Sequence, residues 1–264
     1  MLKLEGIRKL FNPGSPDQKV ALDSIDLTLR AGDFVTIIGS NGAGKSTLMN
    51  IISGAIAPDQ GTIEIEGKSF TSLPAHKRAQ KIGRVFQDPM AGTAPTLTIE
   101  ENMAIAYSRS RRRTLRIGVS KQRKQLFYER LAELNLGLEH RLTAKVGLLS
   151  GGERQALSLL MASFTDPAVL LLDEHTAALD PARAQSITDL TKRIVEQKKL
   201  TALMVTHNMQ QAIDLGNRLL MMDQGRIILD LPDLQKQKLS VPDLLAEFER
   251  IRGVKLSSDR VLLG

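Results

Sequence analysis

Residues 39 to 46 read Gly39-Ser40-Asn41-Gly42-Ala43-Gly44-Lys45-Ser46, a G-x-x-x-x-G-K-[ST] pattern. It lies between the apolar run Phe34-Val35-Thr36-Ile37-Ile38 and the helix-like run Thr47-Leu48-Met49-Asn50-Ile51-Ile52. Glycines at these offsets let a backbone turn its N–H groups toward phosphates. A lysine at this spacing reaches the outer phosphates, and the next hydroxyl is placed to ligate magnesium. The pattern predicts a cradle for a nucleoside triphosphate. A plain glycine-rich turn would not need an apolar strand before it and a helix after it.

Two further constellations carry chemistry. Val169-Leu170-Leu171-Leu172-Asp173-Glu174 is an apolar strand that ends in adjacent carboxylates. Strand alternation would point the two apart, so that Asp173 faces the magnesium at Ser46 while Glu174 orients or deprotonates a water. Leu149-Ser150-Gly151-Gly152-Glu153-Arg154-Gln155 opens a helical pattern continued by Ala156, Leu159, Leu160 and Ser163. Ser150 and Glu153 form a capping box, and the two glycines strip side chains from the positive end of that helix. The phosphates already have a cradle at 39 to 46, so a second phosphate-reading helix suggests a site shared between two chains.

The elements that position these residues follow an α/β order. Strand-like segments fall near 2 to 8, 25 to 30, 34 to 39, 62 to 66, 82 to 86, 169 to 173 and 202 to 206. The first ones alternate apolar and polar residues, as antiparallel, half-exposed strands do. The later ones are apolar throughout, as buried parallel strands are. Between 88 and 166 helical patterns take over, and the clearest runs from Ser120 as N-cap to Gly137. Arg218 to Met222 and Arg226 to Leu229 flank Asp223-Gln224-Gly225 as a hairpin. A tail helix begins at Pro242, with Leu244, Leu245, Phe248 and Ile251 on one face and Gly253 after its end.

With 264 residues, 42% of them hydrophobic, the chain can bury a good core. It has no cysteine, which excludes disulfides and thiolate metal sites and fits a reducing cytoplasm. The first residues alternate like a strand and lack a signal-peptide core, and no run of about 18 apolar residues appears. Any membrane role must therefore run through partners. Five arginines fall within 109 to 116, part of a net charge of +7. No aromatic side chains interleave them, which speaks against stacking on single-stranded nucleic acid. A solvated basic loop and a contact with lipid headgroups or an acidic partner loop both remain open.

In the identity and order of these motifs the chain resembles the ATP-binding subunits of ABC (ATP-binding cassette) transporters over about residues 1 to 230. The resemblance implies an α/β fold: a P-loop NTPase, RecA-like core with an antiparallel β subdomain and an inserted α-helical subdomain. The core would be 1 to 87 and 166 to 230, the helical subdomain with the signature motif 88 to 165, and a short helical tail 231 to 264. It implies ATP and Mg2+ as cofactors, with Phe11 stacking on adenine, Val20 near the base or sugar, and Gly39, Ser40, Asn41, Gly42, Ala43, Gly44, Lys45, Ser46 and Thr47 holding phosphates. Magnesium would be held by Ser46, Gln87 and Asp173. Glu174, Gln87 and His207 would be catalytic. Ser150, Gly151, Gly152 and Glu153 resemble the signature that reaches the nucleotide of a second copy, and Asp180 in Ala178-Leu179-Asp180 resembles the loop by which two copies touch.

The resemblance further implies an ATPase that closes as a head-to-tail dimer around two ATP molecules and reopens on hydrolysis. In transporters of this kind a permease helix docks on the helical lobe, here expected at Gln87 to Glu101. Thr98 with Glu101 offers a capping pattern there. A separate, single-cassette chain looks like the ATPase of an uptake system for amino acids or similar small solutes. It would sit peripherally on the cytoplasmic face of the membrane with permease subunits and a solute-binding protein, with no nucleic acid expected. An exporter subunit and a soluble ATPase acting on nucleic acid or ribosomes are the alternatives. One departure stands out. The family commonly has proline after the two carboxylates, whereas this chain has His175, which is expected to shape how the chain leaves the strand.

Overall fold

A computed structural model describes residues 1–109 and 119–252. The chain opens with β1 (Leu2–Phe11), β2 (Lys19–Leu29), β3 (Phe34–Gly39), α1 (Lys45–Ser53), β4 (Gln60–Ile65), β5 (Lys68–Ser69) and α2 (Ala75–Arg78). There follow β6 (Ile82–Val85), α3 (Ile99–Ser108), α4 (Lys121–Ala132), α5 (Gly151–Ser163), β7 (Val169–Asp173) and α6 (Pro181–Gln197). The described residues end with β8 (Ala202–Val205), α7 (Met209–Asp214), β9 (Arg218–Asp223), β10 (Arg226–Pro232), α8 (Asp233–Lys236) and α9 (Val241–Arg252). It is a mixed α/β fold. It divides into two compact units, one formed by Met1–Arg78 with the chain from Lys199 onward, the other by Ala79–Lys198.

In the first unit, β2, β1, β4 and β5 form an antiparallel sheet in that order. Its strands alternate: Ile25, Leu27 and Leu29 are buried while Asp26, Thr28 and Arg30 point outward, the pattern of a sheet with one wet face. A second set of strands runs β10, β9, β3, β8, with β3 parallel to both β9 and β8. Phe34 to Ile38 are all buried, as expected of a strand covered on both faces. The tail helix α9 lays Leu244 and Phe248 against Ile38, Leu219, Met221 and the α7 residues Met209 and Ala212. It starts one residue earlier than Pro242, with Ser240 and Asp243 bonded reciprocally as a capping box. Gly253 lies outside the described residues. Gln224 and Gly225 turn between β9 and β10 with φ of 46° and 78°, the paired positive φ values of a type I′ hairpin.

In the second unit, β6 and β7 run parallel. Tyr107, Phe127 and Phe164 meet edge to face at centroid distances of 5.7 to 6.1 Å and form the centre of the helical part. α4 ends at Ala132, short of Gly137, because Asn135 already takes a left-handed φ of 57°. Arg109 corrects the sequence expectation of a solvated basic loop at its own position. Its guanidinium donates to the carbonyls of Met161 (2.6 Å) and Ala162 (3.2 Å), capping the end of α5, and burial pulls its pKa below the usual arginine range. The rest of that basic stretch, Arg111 to Arg116, lies outside the described residues. No helix among the described residues is long and apolar enough to cross a membrane.

Candidate nucleotide site

The first unit carries the phosphate loop. β3 delivers Gly39 so close to β9 that a Cβ there would lie 2.2 Å from the Met222 carbonyl oxygen. At Gly44, with φ 102°, a Cβ would lie 2.6 Å from the Ala21 carbonyl oxygen and 2.8 Å from Leu22 Cδ2. Glycine alone fits both positions. The Ala43 N–H donates to the Ser40 carbonyl at 3.1 Å, which curls the loop. α1 then starts at Lys45 with no side-chain cap at Gly44, so its N-terminal N–H groups belong to the loop. Lys45 is 6% exposed, and its amine donates to the carbonyls of Gly39 (2.7 Å) and Ser40 (3.1 Å). Asn41, Gly42 and Ser46 are exposed, Thr47 is half-buried, and Ala43 is buried. A loop of this kind, walled by backbone and lined by N–H groups and one lysine, fits a polyphosphate.

Three residues that the motif does not contain support this loop. Ser40 Oγ donates to Asp223 Oδ1 at 3.0 Å, and the Gly225 N–H donates to the Ala43 carbonyl at 3.0 Å, so the β9–β10 turn braces the loop from behind. Lys19 lies opposite Phe11 in the β1–β2 ladder, and its amine is 3.4 Å from where a Cβ on Gly42 would stand. That brings the end of this ladder, with Phe11 half-buried and Val20 39% exposed, to the loop. His207 is exposed just beyond β8. Its neighbour Thr206 donates to Gln211 Oε1 at 2.7 Å and accepts from the Asn208 N–H at 3.1 Å, which stiffens the turn. Nothing local in the sequence marks Asp223 or Lys19, because each acts through a fold-distant neighbour.

The second unit carries the carboxylates and the signature sequence. β7 is buried from Val169 to Leu172 and ends at Asp173. Glu174 has φ 43°, so a left-handed turn, not strand alternation, separates the two carboxylates, which corrects the sequence argument. A non-glycine residue held in that region carries strain that the surroundings must offset. His175 is buried, and its Nε2 lies 2.8 Å from Thr191 Oγ1, which itself donates to the Ile187 carbonyl. Nε2 therefore carries the proton and donates. Burial pulls the ring down to about 4, so it is neutral and ties the strand exit to α6. Asp180 caps α6 by accepting from the Arg183 N–H at 3.1 Å. Gln87 is exposed after β6.

Ser150 and Glu153 form the capping box of α5. Ser150 Oγ accepts from the Glu153 N–H (3.3 Å), and Glu153 Oε2 accepts from the Ser150 N–H (2.7 Å). Burial pushes the Glu153 carboxyl up, but the Ser150 bonds and Arg141 Nη1 at 2.6 Å outweigh it and hold the carboxyl below its usual range. A Cβ on Gly151 would stand 3.5 Å from Leu179, and one on Gly152 would stand 3.4 Å from Arg183 Cδ. Both are ordinary contacts. Packing within the chain therefore does not demand these glycines, in contrast to Gly39 and Gly44.

Residues 22–177 match the family model described as ABC transporter. The chain belongs to this family. The cassette is 42% identical over 250 residues to a tyrosine transport ATP-binding protein of Clostridioides difficile, covering 94% of its own length and 99% of that protein. It is 34% identical over 231 residues to a methionine import ATP-binding protein of Enterococcus faecalis, covering 86% of its own length and 64% of that protein. Among solved structures, a dimeric ATP-binding cassette in a post-hydrolysis state with ADP and Pi matches with a TM-score of 0.76 and 29% identity, over 88% of this chain and 99% of that one. The cassette is thus an ATP-binding ATPase domain of the ABC transporter type.

Proposed function

We propose that the cassette hydrolyses ATP to drive import of a small solute of the amino-acid class through a membrane permease. The observation that carries the nucleotide part is the loop at 39 to 46, where glycines at 39 and 44 are forced by backbone contacts and Lys45 runs buried beneath the turn. The import part is supported by 34% identity to a methionine import ATP-binding protein, and the amino-acid class also by 42% identity to a tyrosine transport ATP-binding protein. In this reading Gly39 to Thr47 bind the phosphates, while Phe11 and Val20 bind the base and sugar. Glu174 orients the attacking water, and Gln87 and His207 position it with the terminal phosphate. Ser46, Asp173 and Gln87 offer hydroxyl, carboxylate and amide oxygens, the hard donors that suit Mg2+. The ion would supply charge neutralisation at the phosphates.

A second copy completes the site. Its Ser150, Gly151, Gly152 and Glu153 approach the nucleotide and its Asp180 the dimer contact, consistent with glycines that the chain's own packing leaves unused. Residues 1 to 87 and 166 to 230 form the core, 88 to 165 the helical subdomain that receives the permease near Gln87 to Glu101, and 231 to 264 a tail. The cassette works peripherally at the cytoplasmic face, with permease subunits and a solute-binding protein as partners. The test is to recover tagged Glu174→Gln cassette from gently solubilised membranes of its own cell with ATP present. Copurification of a multi-span permease and a solute-binding protein is expected. Recovery of soluble partners alone would overturn the transport reading.

A further inference from the structure

Arg84 lies on β6, opposite Leu171 of β7, and reaches Asp173, the last residue of that strand. Its Nη2 lies 2.8 Å from Asp173 Oδ2, with both side chains largely buried, 13% and 15% exposed. The guanidinium carbon sits 4.7 Å from the centroid of the Phe86 ring, so an aromatic ring also holds the cation. Phe86 is itself held: its carbonyl accepts from Nε2 of Gln155, a fully buried residue of α5. A guanidinium held by both a ring and a carboxylate has little freedom to leave. One oxygen of Asp173 is therefore committed to a permanent cation on the strand next door.

We propose that Arg84 is a positioning residue that orients Asp173 and competes with magnesium for its carboxylate, so that the cassette holds Mg-nucleotide more loosely than Asp173 alone would allow. This rests on the reading of Asp173 as a magnesium ligand. A divalent cation near Asp173 must share the carboxylate with Arg84 and approach a like charge a few ångströms away. The cost falls on the metal-dependent part of nucleotide binding and spares contacts made by the phosphate loop. The Phe86 and Gln155 contacts tie the clamp to α5, whose N-terminus carries the signature sequence.

The test is a titration of fluorescent mant-ADP into the whole cassette, once in EDTA and once in a MgCl2 series, for wild type, Arg84→Met, Arg84→Lys and Asp173→Ala. Arg84→Met removes the charge and keeps an apolar stem against Phe86. It is expected to leave affinity in EDTA unchanged, to tighten affinity in Mg2+ about three- to tenfold, and to lower the MgCl2 midpoint. Arg84→Lys keeps the charge without the planar fork and is expected to fall between. An Arg84→Met cassette with intact EDTA affinity whose Mg2+ affinity is unchanged or weaker overturns the proposal. Should Arg84→Met lose its EDTA affinity through misfolding, Arg84→Lys decides, and no shift there overturns it equally. Asp173→Ala separates the two readings. If it keeps the full Mg2+ gain, the assignment of Asp173 fails. If it loses that gain while the Arg84 variants bind as wild type, only the role of Arg84 fails.

Discussion

Replacing Arg78 by methionine is expected to destabilise the first unit strongly and to loosen the phosphate-loop helix from its far end. Arg78 is 1% exposed. Its Nη1 donates to the carbonyls of Ile51 (2.7 Å) and Ile52 (3.0 Å), in the last turn of α1. Its Nη2 donates to the Thr71 carbonyl (3.0 Å) and its Nε to the Leu73 carbonyl (2.8 Å). The cation thus satisfies carbonyls at the negative end of the helix that begins at the loop. Methionine fills a similar length but donates nothing, leaving those carbonyls buried without their charged partner. Each such bond is worth about 1.5–3 kcal/mol. Removing the buried charge itself returns several kcal/mol, so the net loss is about 3 kcal/mol. For a unit of this size that corresponds to a fall of roughly 6–12 °C in Tm. Differential scanning calorimetry measures it, with Arg78→Lys, which keeps the charge and fewer donors, expected to lose about half as much. A fall in Tm of less than about 2 °C for Arg78→Met would show that these four carbonyl bonds do not hold α1 in place.

Gly39→Ala would drive a Cβ to within 2.2 Å of the Met222 carbonyl. It should abolish ATP binding measured by calorimetric titration, whereas an alanine at Gly67, which has open space around it and costs only the backbone strain of its φ of 73°, should leave binding unchanged. Lys236 is fully buried against the carbonyls of Leu215 and Gly216, and burial pulls its pKa down to about 8 against the opposing pull of Asp233 and Asp214. Between about 8 and 10.5 the unfolded chain holds a proton that the folded chain has lost, so stability rises with pH across that window. Wild type should gain about 2 kcal/mol on Lys236→Met between pH 7.5 and pH 10 in urea unfolding, and a constant gap would contradict the burial argument.

Much of this architecture was legible because its signals are local. The strands at 34 to 39 and 169 to 173 coincide with uninterrupted apolar runs. The capping boxes at Ser150–Glu153 and Thr98–Glu101 join residues three apart, and the Gln224-Gly225 turn follows from two adjacent residues. What the sequence hid depends on distant neighbours. β2 begins at Lys19, six residues before its alternating pattern, because its first residues pair with Lys9 to Phe11 across register shifts that break the alternation. Arg84 and Asp173 are 89 positions apart, and Ser40 and Asp223 are 183 apart. Arg109 reads as one of a run of arginines, yet its environment is the end of α5. The left-handed Glu174 could not be inferred from strand periodicity, since that periodicity stops at Asp173.

In the proposed cycle two copies of the cassette sandwich ATP and separate on hydrolysis. Light scattering on purified wild-type and Glu174→Gln cassette, with MgATP and with MgADP, tests it most directly. A dimer is expected for Glu174→Gln in MgATP only, lost when Ser150 is also changed to Arg, and a monomer that turns over ATP for wild type. A Glu174→Gln cassette that binds MgATP yet stays monomeric, or that hydrolyses it as fast as wild type, would rule out this cycle.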